Sequence, residues 1–249
     1  MILSERLRRA ASLVTKGNRL ADIGTDHGFV PIFLVQEGLI PSAVAMDVNR
    51  GPLDRAAEHI AEAGLGDRIW VRLSDGLAAL RQGEADTVMI AGMGGALTVR
   101  ILQEGMGLLW DPAAGEGIRE LVLQPQSELS RVRRFLESHG WSICREEMVL
   151  EDGKFYPMMQ CCPGRMELTE AQAQFGPRLM EKYDPILREY LLWRRVILNS
   201  NLASLERSGS PRAEDRRREI SGDLELIQEV LDGYPPDLQD GNAGYDINE

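Results

Sequence analysis

The chain has 249 residues, 43% of them hydrophobic, and 28 Lys and Arg stand against 39 Asp and Glu for a net charge of −11. That length buries a sizeable core and holds one large domain, or one domain plus an appendage. No uncharged run approaches the roughly eighteen residues of a membrane span, and the charged start Met1-Ile-Leu-Ser-Glu-Arg-Leu-Arg-Arg9 is not read as a secretory signal, so a cytoplasmic protein without a membrane partner is expected.

Leu20 to Ile23 reads as a buried strand, Gly24 as a turn residue able to take positive φ, and Val30 to Val35, with Pro31 in its first turn, as a helix. A strand, glycine loop and helix in this order form a ligand loop, with backbone N–H groups expected at the helix N-terminus. Asp22 and Asp26 argue against a phosphate there, and the glycines, Gly24 and Gly28, are spaced G-x-x-x-G instead of the dinucleotide G-x-G-x-x-G. S-adenosylmethionine (SAM) fits better, because its ammonium and sulfonium groups are cationic. The competing reading is an ordinary turn with solvated acids.

The βα alternation continues. Ser42 to Val48 is a strand ending at Asp47, Pro52 to Ala63 a helix closed by Gly64, and Ile69 to Leu73 a strand leading to Asp75-Gly76. Thr87 to Ala91 is a fourth strand, followed by a helix from about Ala96 to Glu104; Glu120 to Leu123 is a fifth, followed by a helix over Glu128 to Ser138. Such alternation demands a parallel, doubly wound sheet. Trp141 to Leu150 and Phe155 to Cys161 then form a hairpin about Glu151-Asp-Gly-Lys154. By analogy of fold, a parallel βα sheet finished by an antiparallel hairpin strand indicates a Rossmann-like class I SAM-dependent methyltransferase.

Beyond Pro163 the pattern is helical. Pro185 to about Ser208 places Leu187, Leu191, Leu198, Leu202 and Leu205 on one side, Ser208-Gly-Ser-Pro211 breaks it, and Ala213 to Leu231 repeats Ile220, Leu224, Ile227 and Leu231 at coiled-coil spacing. The two helices are expected to pair antiparallel as an arm for interaction or weak self-association, or else simply to cover the main domain. The expected division is 1–163 for the SAM-binding domain, 164–233 for the helical coiled-coil hairpin and 234–249 for a loose acidic tail lacking Lys and Arg.

Three cysteines suit a reducing compartment. Cys161 and Cys162 are too close for an ordinary disulfide or a zinc pair and Cys144 stands alone, so all three read as buried thiols and no metal is expected. Four basic groups recur: Arg6 with Arg8 and Arg9, Arg131 with Arg133 and Arg134, Arg194 with Arg195, and Arg216 to Arg218. Each alone is a solvated helix face; gathered on one surface they form a phosphate-binding track.

The candidate chemistry collects at strand ends. Asp47 is placed to accept from both ribose hydroxyls, or to cap the next helix. Asp75 is placed to accept from an adenine amino group, with Gly76 leaving room for the ring. Ala91-Gly92-Met93-Gly94-Gly95 lines the methyl end with backbone. The Asn/Asp-Pro-Pro-aromatic turn used on exocyclic amines is absent there, which favours a ring nitrogen such as adenine N1. Methylation at N1 develops positive charge, which Asp26 can stabilise; Gln124 can meet a base edge, and His27 either assists binding, relays a proton or is structural.

Leu3-Ser-Glu-Arg-Leu7, Ala21-Asp-Ile-Gly-Thr-Asp-His27, Ser74-Asp-Gly-Leu77, Glu84-Ala-Asp86, Ile90-Ala-Gly-Met-Gly-Gly-Ala96, Leu123-Gln-Pro125 and Glu151-Asp-Gly-Lys154 together resemble the bacterial TrmK family. The similarity runs over about residues 2 to 160. It implies a SAM-dependent methyltransferase acting on N1 of adenine 22 of tRNA, with a coiled-coil domain after the catalytic one and tRNA as partner of both. It places Asp22, Gly24, Asp26, Asp75, Ala91 and Gly92 at the cofactor, and Met93, Gly94, Gly95, Gln124 and Pro125 at the target base. Thr25, His27, Asp47 and Gly76 complete the cofactor set by position, and Asp26 is the catalytic candidate. Ser74 stands where the family suggests Gly, and Gln126 where it suggests Asn. The alternatives are a small-molecule methyltransferase and a non-catalytic SAM-binding interaction protein; a nicotinamide-dependent oxidoreductase is opposed by the loop.

Overall fold

The structure is a computed structural model that describes residues 3–111, 113–205 and 211–239. It divides into two compact units, residues 1–167 and 168–249.

The first unit is a seven-stranded sheet. Its elements are α1 (Glu5–Ala11), β1 (Leu20–Ile23), α2 (Phe29–Gln36), β2 (Ala43–Asp47), α3 (Arg50–Glu62), β3 (Ile69–Leu73), β4 (Thr87–Ala91), α4 (Gly95–Glu104), β5 (Glu120–Gln124), α5 (Leu129–Ser138), β6 (Trp141–Glu151) and β7 (Lys154–Pro163). The strand order is β3-β2-β1-β4-β5-β7-β6. β1 to β5 pair in parallel, and β7 lies antiparallel between β5 and β6. The expected doubly wound methyltransferase sheet is therefore present.

The inner strands read as unbroken apolar runs because both faces of the sheet are covered. Ala21, Ile23, Val88, Ile90, Leu121 and Leu123 pack on one side with Val99 and Leu102 of α4 and Val132 and Leu136 of α5. Leu20, Ala43, Ala45, Met89 and Val122 pack on the other with Ala10 of α1, Leu34 of α2 and Ile60 of α3. α1 escaped the periodicity reading because its seven residues hold fewer than two full helical turns; Ser4 caps it by accepting from the Leu7 amide.

The hairpin departs from expectation in its cysteines. Cys162 pairs in register with Ser142, Cys144 is the extra residue at a register shift between Ile143 and Arg145, and the two cysteines form a disulfide with Cα atoms 6.4 Å apart. Only Cys161 is a buried free thiol, and burial pushes its pKa well up. Sequence distance hid the pairing; the antiparallel register creates it.

The second unit holds α6 (Glu170–Phe175), α7 (Pro177–Glu181), α8 (Pro185–Leu205), α9 (Pro211–Asp232) and α10 (Pro236–Gln239). Thr169 and Gln172 form a capping box at α6. α8 and α9 pack together, Leu187, Leu191, Leu198, Ile220 and Ile227 on them are buried, and Arg194 of α8 pairs with Asp223 of α9 at 2.9 Å. The break expected at Ser208-Gly-Ser lies outside the described residues, as does most of the expected acidic tail, although Pro236–Gln239 within that stretch is helical. Among the described residues no helix is long and apolar enough to cross a membrane.

The basic groups are mostly paired within their own elements. Arg8 and Arg9 bind Glu5, Arg131 binds Glu128, Arg134 binds Glu137 and Arg216 binds Glu219. Arg133 is no surface residue: it is 1% exposed and pairs with buried Glu146 of β6 at 3.0 Å. Arg133→Ala leaves the Glu146 charge buried without its cation and is expected to lower stability by about 3–5 kcal/mol. Arg133→Leu combined with Glu146→Leu is expected to recover most of that loss in urea unfolding.

Candidate active site

The C-terminal ends of β1 to β4 open on a cleft of about 530 Å³, at the point where strand order reverses between β1 and β4. The turns after β1, β2, β3 and β4, Gln126 beyond β5 and the start of α1 build its walls.

The first turn follows β1. Gly24 takes φ 73° and Gly28 φ 72°. The amides of Gly24 and Thr25 donate to the Met46 carbonyl at 2.8 and 2.9 Å, and the Gly28 amide to the Thr25 carbonyl. The amides of Gly24 and Thr25 are thus occupied by β2 and are not available to a phosphate. A Cβ on Gly24 would collide with Met93 Cε, so glycine is what lets the first and fourth turns meet.

Asp26 stands in the left-handed region at φ 53°, its side chain 65% exposed and Oδ2 3.5 Å from His27 Nε2. The His27 ring stacks on Phe29, which stacks on His59 with centroids 5.1 Å apart; His59 Nδ1 donates to the His27 carbonyl. His27 Nδ1 is buried with no hydrogen-bond partner among the described residues.

Asp22, the third residue of β1, is buried. Burial, with the Asp47 charge acting in the same sense, pushes its pKa up to about 6. Asp47 ends β2, where the Asn49 amide donates to its Oδ1 at 2.8 Å and fixes the carboxylate. Asp75 follows β3 with its side chain more than half exposed, 3.4 Å from Arg100. The departure at Ser74 is a turn device: its hydroxyl donates to the Gly76 carbonyl and accepts from the Ala79 amide.

The fourth turn begins at Gly92, whose amide is shared at 3.1 Å between the Gln124 backbone carbonyl and Gln124 Oε1. The same Oε1 accepts from Arg6 Nη1 at 2.8 Å. Gly95 opens α4, where a Cβ would stand 2.5 Å from the Ser127 carbonyl oxygen.

Residues 3–159 match the methyltransferase-domain family. The tRNA (adenine(22)-N(1))-methyltransferase of Bacillus subtilis strain 168 is 29% identical over 239 residues, covering 92% of this chain and 97% of that protein. Streptococcus pneumoniae Sp1610, solved in complex with S-adenosyl-L-methionine, is 35% identical with a TM-score of 0.78, over 92% of this chain and 100% of that one. Mycoplasma capricolum TrmK, solved with S-adenosyl-homocysteine, is 26% identical with a TM-score of 0.80, over 94% and 100% of the two chains. The chain belongs to the TrmK family of methyltransferases.

Within this TrmK-family site, Asp22, Gly24, Thr25, Asp26, His27, Asp47, Asp75, Gly76, Ala91, Gly92 and Met93 all border the one cleft. Gly94, Gly95, Gln124 and Pro125 stand behind it. Gln124 is fully buried with its acceptor oxygen engaged, and Gly95 serves the close packing of α4 on the Ser127-Glu128 turn. The sequence reading missed Arg6, Phe29, Asn49, Arg100 and Gln126 as wall residues. The signal for Arg6 was its place in the Leu3 to Leu7 motif; the others depend on which way a turn points.

The raised Asp22 pKa has a stability consequence. The folded chain holds this proton up to about pH 6, whereas an ordinary aspartate releases it near 3.8. The folded state binds more protons between these values, so stability falls as pH rises through that window and stays lower above it. Asp22→Asn is expected to raise the stability of the ligand-free protein at pH 8 by about 2–3 kcal/mol and to flatten its dependence between pH 4 and 6, read by chemical unfolding at each pH.

Proposed function

We propose that the chain transfers a methyl group from SAM to N1 of adenine 22 in tRNA. The observation that carries this reading is the convergence of Asp22, Asp47 and Asp75 with the Gly92-Met93 turn on one cleft whose first loop has no amide for a phosphate at Gly24 or Thr25. The TrmK-family relatives, acting on adenine 22 in one case and binding SAM or its product in others, give the same direction.

The residues fit the cofactor. Asp22 is a desolvated acid that a cationic group would hold ionised, His27 Nδ1 is buried without a partner among the described residues, and Asp47 and Asp75 border the same cleft. Asp47 would take the ribose hydroxyls, and Asp75 the adenine amino group. When bound, SAM supplies an electrophilic methyl group on a sulfonium. The protein's part is to hold the base beside the Gly92-Met93 turn, after turning it out of the tRNA, and to exclude water there. Adenine N1 carries its own lone pair and needs no base. Asp26, on the exposed rim, stabilises the positive charge that N1 methylation creates.

The first unit carries the transfer, and the helical unit contributes to tRNA binding. Trp193, Val196 and Ile197 on α8 are exposed apolar groups suited to weak self-association. A cytoplasmic location follows from the substrate.

The test is incubation with labelled SAM and unmodified tRNA, followed by nucleoside analysis. Label is expected in 1-methyladenosine and absent with a tRNA carrying guanine at position 22; label in a small molecule alone would overturn the reading. Asp26→Ala is expected to lower kcat by about tenfold or more, a larger factor than any by which it weakens S-adenosyl-homocysteine binding. Asp47→Ala is expected to weaken that affinity about tenfold or more, read by calorimetry.

A further inference from the structure

Arg6 shares with Arg195, which donates to Gln228 Oε1 at 3.1 Å, the lack of a carboxylate partner among the described residues, but of the arginines in the basic groups Arg6 is the one that lines the cleft. Its neighbours on α1, Arg8 and Arg9, turn to Glu5, whereas the Arg6 guanidinium lies in the cleft wall. No carboxylate pairs with that guanidinium among the described residues. Nη1 donates to Gln124 Oε1 at 2.8 Å, and the guanidinium carbon stands 5.4 Å from the centroid of the Tyr156 ring, which supports it by a cation–π contact. The backbone holds the residue as well, because the Arg6 amide donates to Glu151 Oε1 at 3.3 Å. A Cβ placed on Gly92 would lie 3.8 Å from Arg6 Nη1 and 3.9 Å from Gln126 Nε2, so both side chains stand over the fourth turn.

The wall is otherwise acidic. It includes Asp22, Asp26, Asp47 and Asp75, and its other arginine, Arg100, faces Asp75. With no carboxylate among the described residues within ion-pair distance, the guanidinium keeps donors open to an anionic ligand at the cleft. Such a charge would oppose the formation of cationic N1-methyladenine if it faced the ring nitrogen, so its partner must be another part of the nucleotide. We propose that Arg6 binds a backbone phosphate flanking the target adenosine, and that Gln124 is a positioning residue which aims it. This rests on the tRNA reading above.

The braced geometry suits that task. Gln124 is fully buried and ties Arg6 and the Gly92 amide to one oxygen, so the phosphate grip and the turn beside the target base are set by a single side chain. Arginine recognises phosphate by paired, charge-assisted hydrogen bonds, and one Nη group fixed by Gln124 leaves the rest of the fork for the ligand.

The test uses the full chain, a tRNA transcript bearing adenine 22, and titrations over a range of salt concentrations. Arg6→Ala is expected to weaken tRNA binding about tenfold and to reduce the slope of log affinity against log salt by about one. S-adenosyl-homocysteine affinity should stay within twofold. Arg6→Lys, which keeps the charge, should retain the slope. Gln124→Glu places a carboxylate against Arg6 and should reproduce the reduced slope with the arginine still present. An unchanged slope in both Arg6→Ala and Gln124→Glu, or an equal loss of S-adenosyl-homocysteine binding, overturns the proposal. Wild-type protein that leaves adenine 22 unmethylated overturns the functional reading itself. Normal wild-type methylation with an unchanged slope overturns only the role of Arg6.

Discussion

The active-site architecture depends on a carboxylate kept dry at the centre of the sheet. Asp22 lies on β1, the strand beside the reversal of strand order, and Asp47 on the next strand adds a like charge. Among the described residues no cation pairs with Asp22, and the Thr25 hydroxyl offsets burial only in part, so a cationic ligand would hold the carboxylate ionised. The Gly24 and Thr25 amides that would calm a carboxylate turn instead to the Met46 carbonyl, and the glycine at 24 admits Met93 in place of solvent. The same features that raise the Asp22 pKa make the cleft hostile to phosphate.

A second buried acid shows that burial alone does not create such a site. Glu120 begins β5 at the other end of the parallel strands and is also buried. It accepts from the Thr15 amide, the Thr15 and Thr87 hydroxyls and Gln160 Nε2, a set of neutral donors that satisfies it within the fold. One carboxylate is a finished piece of structure tying α1's following loop, β4, β5 and β7 together. The other is left for chemistry. The difference lies in the donors supplied, which is a property of turn geometry more than of residue type.

The same distinction explains what the sequence could and could not reveal. Strands β1, β2 and β4 are mainly apolar runs that end at or run into Asp or Gly, and β5 is one stopped by Gln124-Pro125, so their positions and their shared C-terminal edge are legible from residue type alone. Gly95 and Gly92 look alike in the run Gly92-Met-Gly-Gly95, yet one opens the cleft and the other packs against Ser127. Gln124 reads as a base contact because it ends a strand, but it is fully buried and its Oε1 is taken by Arg6 and Gly92, while Nε2 has no hydrogen-bond partner among the described residues. The Cys144–Cys162 bond depends on a register shift that no spacing rule encodes. Each miss concerns a partner brought by tertiary structure, and each hit concerns a local period or turn.

Charge follows the same logic. A net charge of −11 seems to oppose a polynucleotide substrate, and four arginine groups seem to favour one. Neither sum describes the field a phosphate meets. Arg133 is buried on Glu146, Arg134 faces Glu137, Arg194 faces Asp223 and Arg216 faces Glu219, and these pairs present dipoles more than charges. A pair a few ångströms apart is screened within about one Debye length, roughly 8 Å in physiological salt. Asp22 and Asp47 lie at the ends of β1 and β2, while Arg6 stands over the Gly92 turn, which on the proposed function is the nucleotide's side of the cleft. Segregation of sign over the few ångströms of one cleft, and not the balance over the whole chain, is what reconciles an acidic protein with an anionic substrate.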